Sequence, residues 1–120
     1  MADQTALVIE DDDDIRRLLE VVLKQSGFEV EYASTGREGA DAAVARQHDL
    51  VTVDLGLPDI DGVEVLREIR SKVRGKIVVI SARAMEKYRD LSHDAGADAF
   101  ITKPFRPREL RAQLAELLAS

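Results

Sequence analysis

Short apolar runs alternate with amphipathic stretches along the whole chain. Ala6–Ile9, Leu50–Val53 and Ile77–Ile80 are continuous apolar runs, the pattern of parallel strands covered on both faces. Glu29–Ala33 alternates polar and apolar positions and predicts a half-buried strand near a sheet edge, and Asp98–Ile101 predicts a fifth strand. Between these runs the period becomes helical. Ile15, Leu18, Leu19, Val22 and Leu23 form one stripe, closed by Gly27. Thr35 and Glu38 make a capping-box pattern ahead of Ala40, Ala43 and Val44. Asp61 and Glu64 cap a third helix carrying Val65, Leu66, Ile69 and Val73, ended by Gly75. A fourth helix, Met85 to Ala95, is weakly apolar, with Tyr88, Leu91 and Ala95 as its inner face and Gly96 as its stop. Pro107 suits the first position of a fifth helix, whose stripe is Leu110, Leu114, Leu117 and Leu118. The expected class is α/β, a (βα)5 arrangement with helices on both faces of a parallel sheet.

Composition narrows the field. With 120 residues, one domain spanning 1–120 is the expectation, and the length suffices for a sizeable core. A composition of 45% hydrophobic and 33% charged residues is that of a soluble globular chain. No cysteine is present, which excludes disulfides and thiol metal sites and is compatible with a reducing cytoplasm. No run approaches the length of a membrane span. A net charge of −6 disfavours direct nucleic-acid binding, so DNA contact would need another domain.

The candidate chemistry sits where the apolar runs end. Glu10 and Asp11 follow the first run, Asp54 the third strand, Ser81 the fourth, and Lys103 the run Ala99–Thr102. If these runs are parallel strands, their carboxyl ends meet on one rim, where open α/β sheets place their ligands. Three carboxylates, a hydroxyl and an ammonium suit a divalent cation and a phosphoryl group. Mg²⁺ held by Asp11 and Asp54, with Glu10 direct or through water, is the expected metal site. Asp12 to Asp14 read instead as charges at a helix start. Asp54 reads as a carboxylate nucleophile that becomes an acyl phosphate. Gly56, lacking a side chain, lets its carbonyl approach the metal. Ser81 can donate to a phosphoryl oxygen, and Lys103 can pair with Asp54 before reaction and with the phosphoryl group afterwards. The Lys103–Pro104 bond is a candidate cis peptide. His48 and His93 lack metal or triad spacing and read as solvated or helix-surface residues. No Walker loop or Gly-x-Gly-x-x-Gly is present, and Asp59–Gly62 lacks calcium-loop spacing.

Four ordered motifs carry a resemblance: Leu7–Asp12, Val53–Gly62, Ile80–Arg83 and Ala95–Phe105. Across essentially its whole length the chain resembles the receiver domain of bacterial two-component response regulators. The resemblance implies a flavodoxin-like sheet of order 2-1-3-4-5, Asp54 as phosphoacceptor, Glu10 and Asp11 as acid pocket, and Gly56 as carbonyl ligand. It also implies Ser81 as the switch hydroxyl, Lys103 as the family's lysine, and Phe100 at the aromatic switch position. A sensor histidine kinase, or a small phosphodonor, is the implied source of the phosphoryl group. The surface of the fourth helix, fifth strand and fifth helix is then expected to change shape. The chain is expected to be a signalling module rather than an enzyme.

Asp54–Pro58 and Thr102–Leu110 are similar to the OmpR/PhoB type, whose receivers dimerise through that surface and carry a C-terminal DNA-binding domain. Of its three charged pairs, Arg89 with Glu109 is kept. Ala99 and Gln113 replace the second, and Ser120 replaces the base that would meet Asp98. Weak or phosphorylation-dependent dimerisation is therefore expected, in a receiver either cut from a larger regulator or standing alone. The rival reading is a haloacid-dehalogenase-type phosphatase, with Asp11 and Asp13 as its Asp-x-Asp pair. It lacks an acid pair after Lys103 and a cap insertion.

Overall fold

The computed structural model describes residues 4–83 and 85–119. Its strands are β1 (Gln4–Ile9), β2 (Phe28–Ala33), β3 (Leu50–Val53), β4 (Lys76–Ser81) and β5 (Ala99–Thr102). Its helices are α1 (Asp13–Gln25), α2 (Gly36–Ala45), α3 (Gly62–Ile69), α4 (Glu86–Asp94) and α5 (Pro107–Ala119). The strands form one parallel sheet in the order β2-β1-β3-β4-β5, so β2 lies at an edge as its amphipathic pattern predicts.

Side chains alternate across a strand, and the sequence sorts them into two cores. Leu7, Ile9, Val51, Val53, Ile77 and Val79 face α2 and α3, packing on Ala40, Ala43, Val65, Leu66 and Ile69. Ala6, Val8, Leu50, Val78, Ile80 and Ile101 face α1 and α5, packing on Leu19, Val22, Leu23, Leu110 and Leu114. Burial on both faces explains the unbroken apolar runs of β1, β3 and β4.

The helix boundaries follow local chemistry. Asp12 caps α1 by accepting from Asp14 and Ile15 N–H. Thr35 caps α2 and Asp61 caps α3 through the Glu38 and Val63 N–H groups. Gly27 and Gly96 follow α1 and α4 with φ of 94° and 107°, a region costly for residues with a Cβ.

Three expectations need correction. The third helix stops at Ile69 and tightens into a 3-10 turn, Arg70–Lys72, well before Gly75, although Val73 is buried as predicted. Val44 is outward and about half exposed (46%), because α2 presents Gly36, Gly39, Ala40 and Ala43 to the core. A Cβ at Gly39 would lie 2.6 Å from Ile9 side-chain atoms, so only a glycine face allows this approach. In α4 the inner face runs through Tyr88, Ser92 and Ala95, leaving Leu91 outside.

The end of the sheet opposite the β-strand carboxyl termini is tied by Arg70. Its guanidinium donates to the carbonyls of Gly96, Val73 and Gly75 at 2.9, 2.7 and 3.0 Å and to Asp98 Oδ2 at 3.0 Å. The same Asp98 oxygen accepts from Ile77 N–H at 2.8 Å.

Candidate functional site

Two backbone bonds prolong the ladder past the strands and fix where the acidic residues emerge. Glu10 N–H donates to Ala33 O at 3.0 Å, and Asp54 N–H donates to Ile9 O at 3.1 Å. Glu10, Asp11 and Asp54 thereby converge, each offering a carboxylate oxygen within 4.8 Å of the others. Lys103 reaches the same point from the end of β5. Its Nζ lies 2.6 Å from Glu10 Oε1 and 3.5 Å from Asp54 Oδ2. The Lys103 N–H bonds Ser81 O at 3.0 Å, which holds the ends of β4 and β5 side by side. The Lys103–Pro104 peptide is cis.

The electrostatics are those of a crowded acid site. Glu10 is almost fully buried (1% exposed), Asp54 is buried, and Asp11 is exposed. Burial is the main cause that pushes the Glu10 carboxyl up from 4.5 to about 7, against the opposing hydrogen bond from Lys103. Three carboxylates facing one ammonium leave an excess of negative charge that a small divalent cation with oxygen preference relieves. The donor set therefore fits Mg²⁺, with two buried acids and one open to solvent.

Gly56 is exposed, and its N–H donates to Asp54 Oδ1 at 3.2 Å, orienting that carboxylate. A Cβ at Gly56 would meet the Asp54 oxygens at an ordinary 3.9–4.0 Å, so space around Asp54 does not itself demand glycine. Gly62 is different: an added Cβ would strike the Asp54 carbonyl and lie 2.6 Å from Leu55 Cα, so this glycine lets α3 start directly against the Asp54 backbone. Ser81 is buried at the end of β4, where its Oγ accepts from Arg83 N–H at 3.1 Å. Phe100 is partly buried on the α2–α3 side of the sheet. The Arg89 guanidinium lies 4.8 Å from its ring centroid and bonds Thr102 Oγ1 at 2.8 Å.

Residues outside the cluster behave differently. Asp12 caps α1, and Asp13 pairs with Arg16 at 2.7 Å, so Asp13 does not join Asp11 in an Asp-x-Asp metal pair. Asp59 and Asp61 bond the starts of α2 and α3 rather than the acidic cluster. Asp98 is engaged with Arg70 in its own chain. Ala99 and Gln113 line one groove of about 340 Å³ between β5 and α5. Ser120 lies outside the described residues. His93 is exposed as expected, but His48 is buried with Nε2 3.4 Å from Glu31 Oε2. Its place just before β3, against Glu31 of β2, buries it despite the polarity that suggests a solvated residue. No helix among the described residues is long and apolar enough to cross a membrane.

Known proteins resemble this chain in sequence and in fold. Over 108 residues the chain is 42% identical to the KDP operon transcriptional regulatory protein KdpE of Escherichia coli, covering 90% of this chain and 48% of KdpE. It is 36% identical over 112 residues to the transcriptional regulatory protein SrrA of Staphylococcus aureus, covering 93% of this chain and 46% of SrrA. The chain thus spans about half the length of these curated relatives. Among solved structures, a CheY-like response regulator receiver domain protein from Methanospirillum hungatei superposes with a TM-score of 0.90 at 32% identity, covering 97% of this chain and 94% of that one. The receiver domain of the sensor histidine kinase PA1611 from Pseudomonas aeruginosa, solved with magnesium in its active-site cleft, gives 0.88 at 29% identity, covering 99% and 100%. The sequence profile of the response regulator receiver domain matches residues 6–115, nearly the whole chain, and the strand order that brings Glu10, Asp54 and Lys103 together is the one these receivers share: the chain belongs to the response regulator receiver family.

Proposed function

We propose that Asp54 accepts a phosphoryl group from a sensor histidine kinase and that the resulting charge is read out through Ser81 and Phe100. The observation that carries this is the meeting of Asp54 with Glu10, Asp11 and the Lys103 ammonium at the carboxyl rim of the sheet. An Asp54 carboxylate oxygen attacks phosphorus, the bond to the donor's imidazole nitrogen breaks, and an acyl phosphate forms. Glu10, Asp11, Asp54 and the Gly56 carbonyl are the residues that would hold Mg²⁺, which when bound would supply positive charge to offset that of the carboxylates and the phosphoryl group. Lys103 is already within ion-pair distance of the attacking residue and supplies a second positive charge without reorganisation. Ser81, at the adjoining strand end, donates a hydrogen bond from its hydroxyl to a phosphoryl oxygen, and its Oγ remains able to accept from Arg83 N–H. Phe100 then leaves its position beneath Arg89 and turns inward.

The coverage of about half of each transcriptional regulator supports a receiver that acts with a C-terminal DNA-binding domain of the OmpR/PhoB type. The proposed place of action is the cytoplasm. The acidic net charge leaves DNA contact to that domain. Dimerisation through α4, β5 and α5 is weak or phosphorylation-dependent in this proposal. Arg89 is occupied by Thr102 and Phe100, and Asp98 by Arg70.

Mass spectrometry after incubation with acetyl phosphate and Mg²⁺ tests the assignment. One phosphoryl adduct is expected, mapped to Asp54, lost with EDTA and absent from Asp54→Ala. An equal adduct on Asp54→Ala would overturn the proposal.

A further inference from the structure

Asp59 lies on the loop after Asp54, yet its carboxylate turns away from the acidic cluster. Its Oδ1 accepts from Gly36 N–H at 2.7 Å and its Oδ2 from Arg37 N–H at 2.9 Å. These are the first two residues of α2, whose N–H groups have no acceptor within their own helix. The two donors hold the Asp59 carboxyl below its usual range. Thr35 takes the Glu38 N–H instead, so Thr35 and Asp59 divide the donors of this helix start between them. The contact is closely packed: a Cβ at Gly36 would lie 3.1 Å from Ile60 Cβ and 3.2 Å from Asp59 Oδ1. Arg37 adds a second tie across the same junction through Glu68 at 2.8 Å.

This clamp bears on the candidate cation site through the short segment it encloses. At its near end the loop is held by buried Leu55, whose carbonyl accepts from Gly62 N–H at 3.2 Å. At its far end it is held by Asp59. Between them stand Gly56, Leu57 and Pro58, and the Gly56 N–H is the group that orients Asp54 Oδ1. Leu57 and Ile60 also pack against the α2–α3 core, and Asp59 adds the polar tie that fixes how this loop sits on the start of α2.

We propose that Asp59 is a positioning residue for the divalent-cation site, fixing Gly56 and through it the Asp54 carboxylate by anchoring the loop to the start of α2. This rests on the assignment of that site to Glu10, Asp11, Asp54 and Gly56. Outer groups that orient ligands commonly carry a tenfold or greater share of metal affinity.

Calorimetric titration of Mg²⁺ into the wild-type chain, Asp59→Ala, Asp59→Asn and Thr35→Ala at fixed pH and ionic strength tests it. Asp59→Ala is expected to weaken binding roughly tenfold, with the amide resonance of Gly56 displaced. Asp59→Asn keeps one acceptor oxygen and falls between Asp59→Ala and wild type. Thr35→Ala removes a cap from the same helix without touching the loop, so it loses stability but keeps wild-type affinity. Should Asp59→Ala fold too poorly to titrate, Asp59→Asn against Thr35→Ala gives the same comparison. Wild-type affinity in the Asp59 variants, or equal weakening in Thr35→Ala, would overturn the proposal. Equal losses in Asp59→Asn and Asp59→Ala that vanish with added salt would also overturn it, assigning the effect to charge alone. A wild-type chain that takes up no Mg²⁺ would instead overturn the cation site on which it rests.

Discussion

Glu10→Gln should make the chain more stable as pH rises, relative to wild type, when no divalent cation is present. The Glu10 carboxyl is pushed from 4.5 up to about 7, chiefly by burial, with Asp54 adding to the rise and Lys103 opposing it. Folding therefore favours the protonated acid. The resulting stabilisation of wild type is complete below the unfolded value of 4.5 and is lost as pH climbs from there through about 7. Relative to an unshifted acid, linkage sets the cost at about 1 kcal/mol near pH 5 and at most about 3 kcal/mol near pH 8. Glutamine preserves the shape and an acceptor for Lys103 but has no proton to lose, so it escapes this cost. Urea titrations of both proteins in EDTA across that range read the effect of Glu10 together with its interactions with Asp54 and Lys103. The stability difference should move by about 2 kcal/mol in favour of Glu10→Gln between the two pH values. Added Mg²⁺ should restore wild type at the upper pH and help the variant little. Parallel stability profiles for the two proteins in EDTA would refute the reasoning.

Lys103→Met removes the positive charge facing Glu10 and Asp54. Phosphoryl transfer from acetyl phosphate should slow by about a hundredfold while Mg²⁺ binds at least as tightly; an unchanged rate counts against a role for the ammonium. Gly62→Ala sets a Cβ against the Asp54 backbone and should cost about 1–3 kcal/mol in urea unfolding, together with a slower transfer rate, whereas a neutral result would mean that the α3 start can shift freely. The α4 start has no side-chain cap, and within α4 only Ser92 is buried. Amide exchange across that helix should therefore differ between phosphorylated and unphosphorylated chains, and identical protection in both states would contradict a mobile α4.

What the amino-acid pattern revealed was local or additive. Strands buried on both faces announce themselves as unbroken apolar runs, and a residue placed just after such a run must emerge at the rim. By that logic Glu10, Asp11, Asp54, Ser81 and Lys103 fall on one edge of the sheet. The misread residues depend on partners far along the chain. Val44 looked like core because it continued an apolar stripe, but α2 is pressed against Ile9 through glycine and alanine. Leu91 lost its place to Ser92, since the phase of a short helix is set by what the neighbouring strand accepts. His48 reads as solvated yet is buried, and the pattern gives no sign that the exposed Asp59 is held by a helix start. Their actual neighbours, Glu31 for one and Gly36 and Arg37 for the other, stand 17 to 23 positions away. Hydrophobic periodicity carries no record of such pairings.

The Arg70 guanidinium leaves the amino-terminal side of β4 and β5 with little freedom to slide. It grips the 3-10 turn's exit, the approach to β4 and the approach to β5 at once, and Asp98 closes the loop through Ile77 N–H. A strand fastened at its beginning can still swing at its finish. Any displacement that phosphorylation drives at Lys103 and Ser81 would pivot on this fixed base.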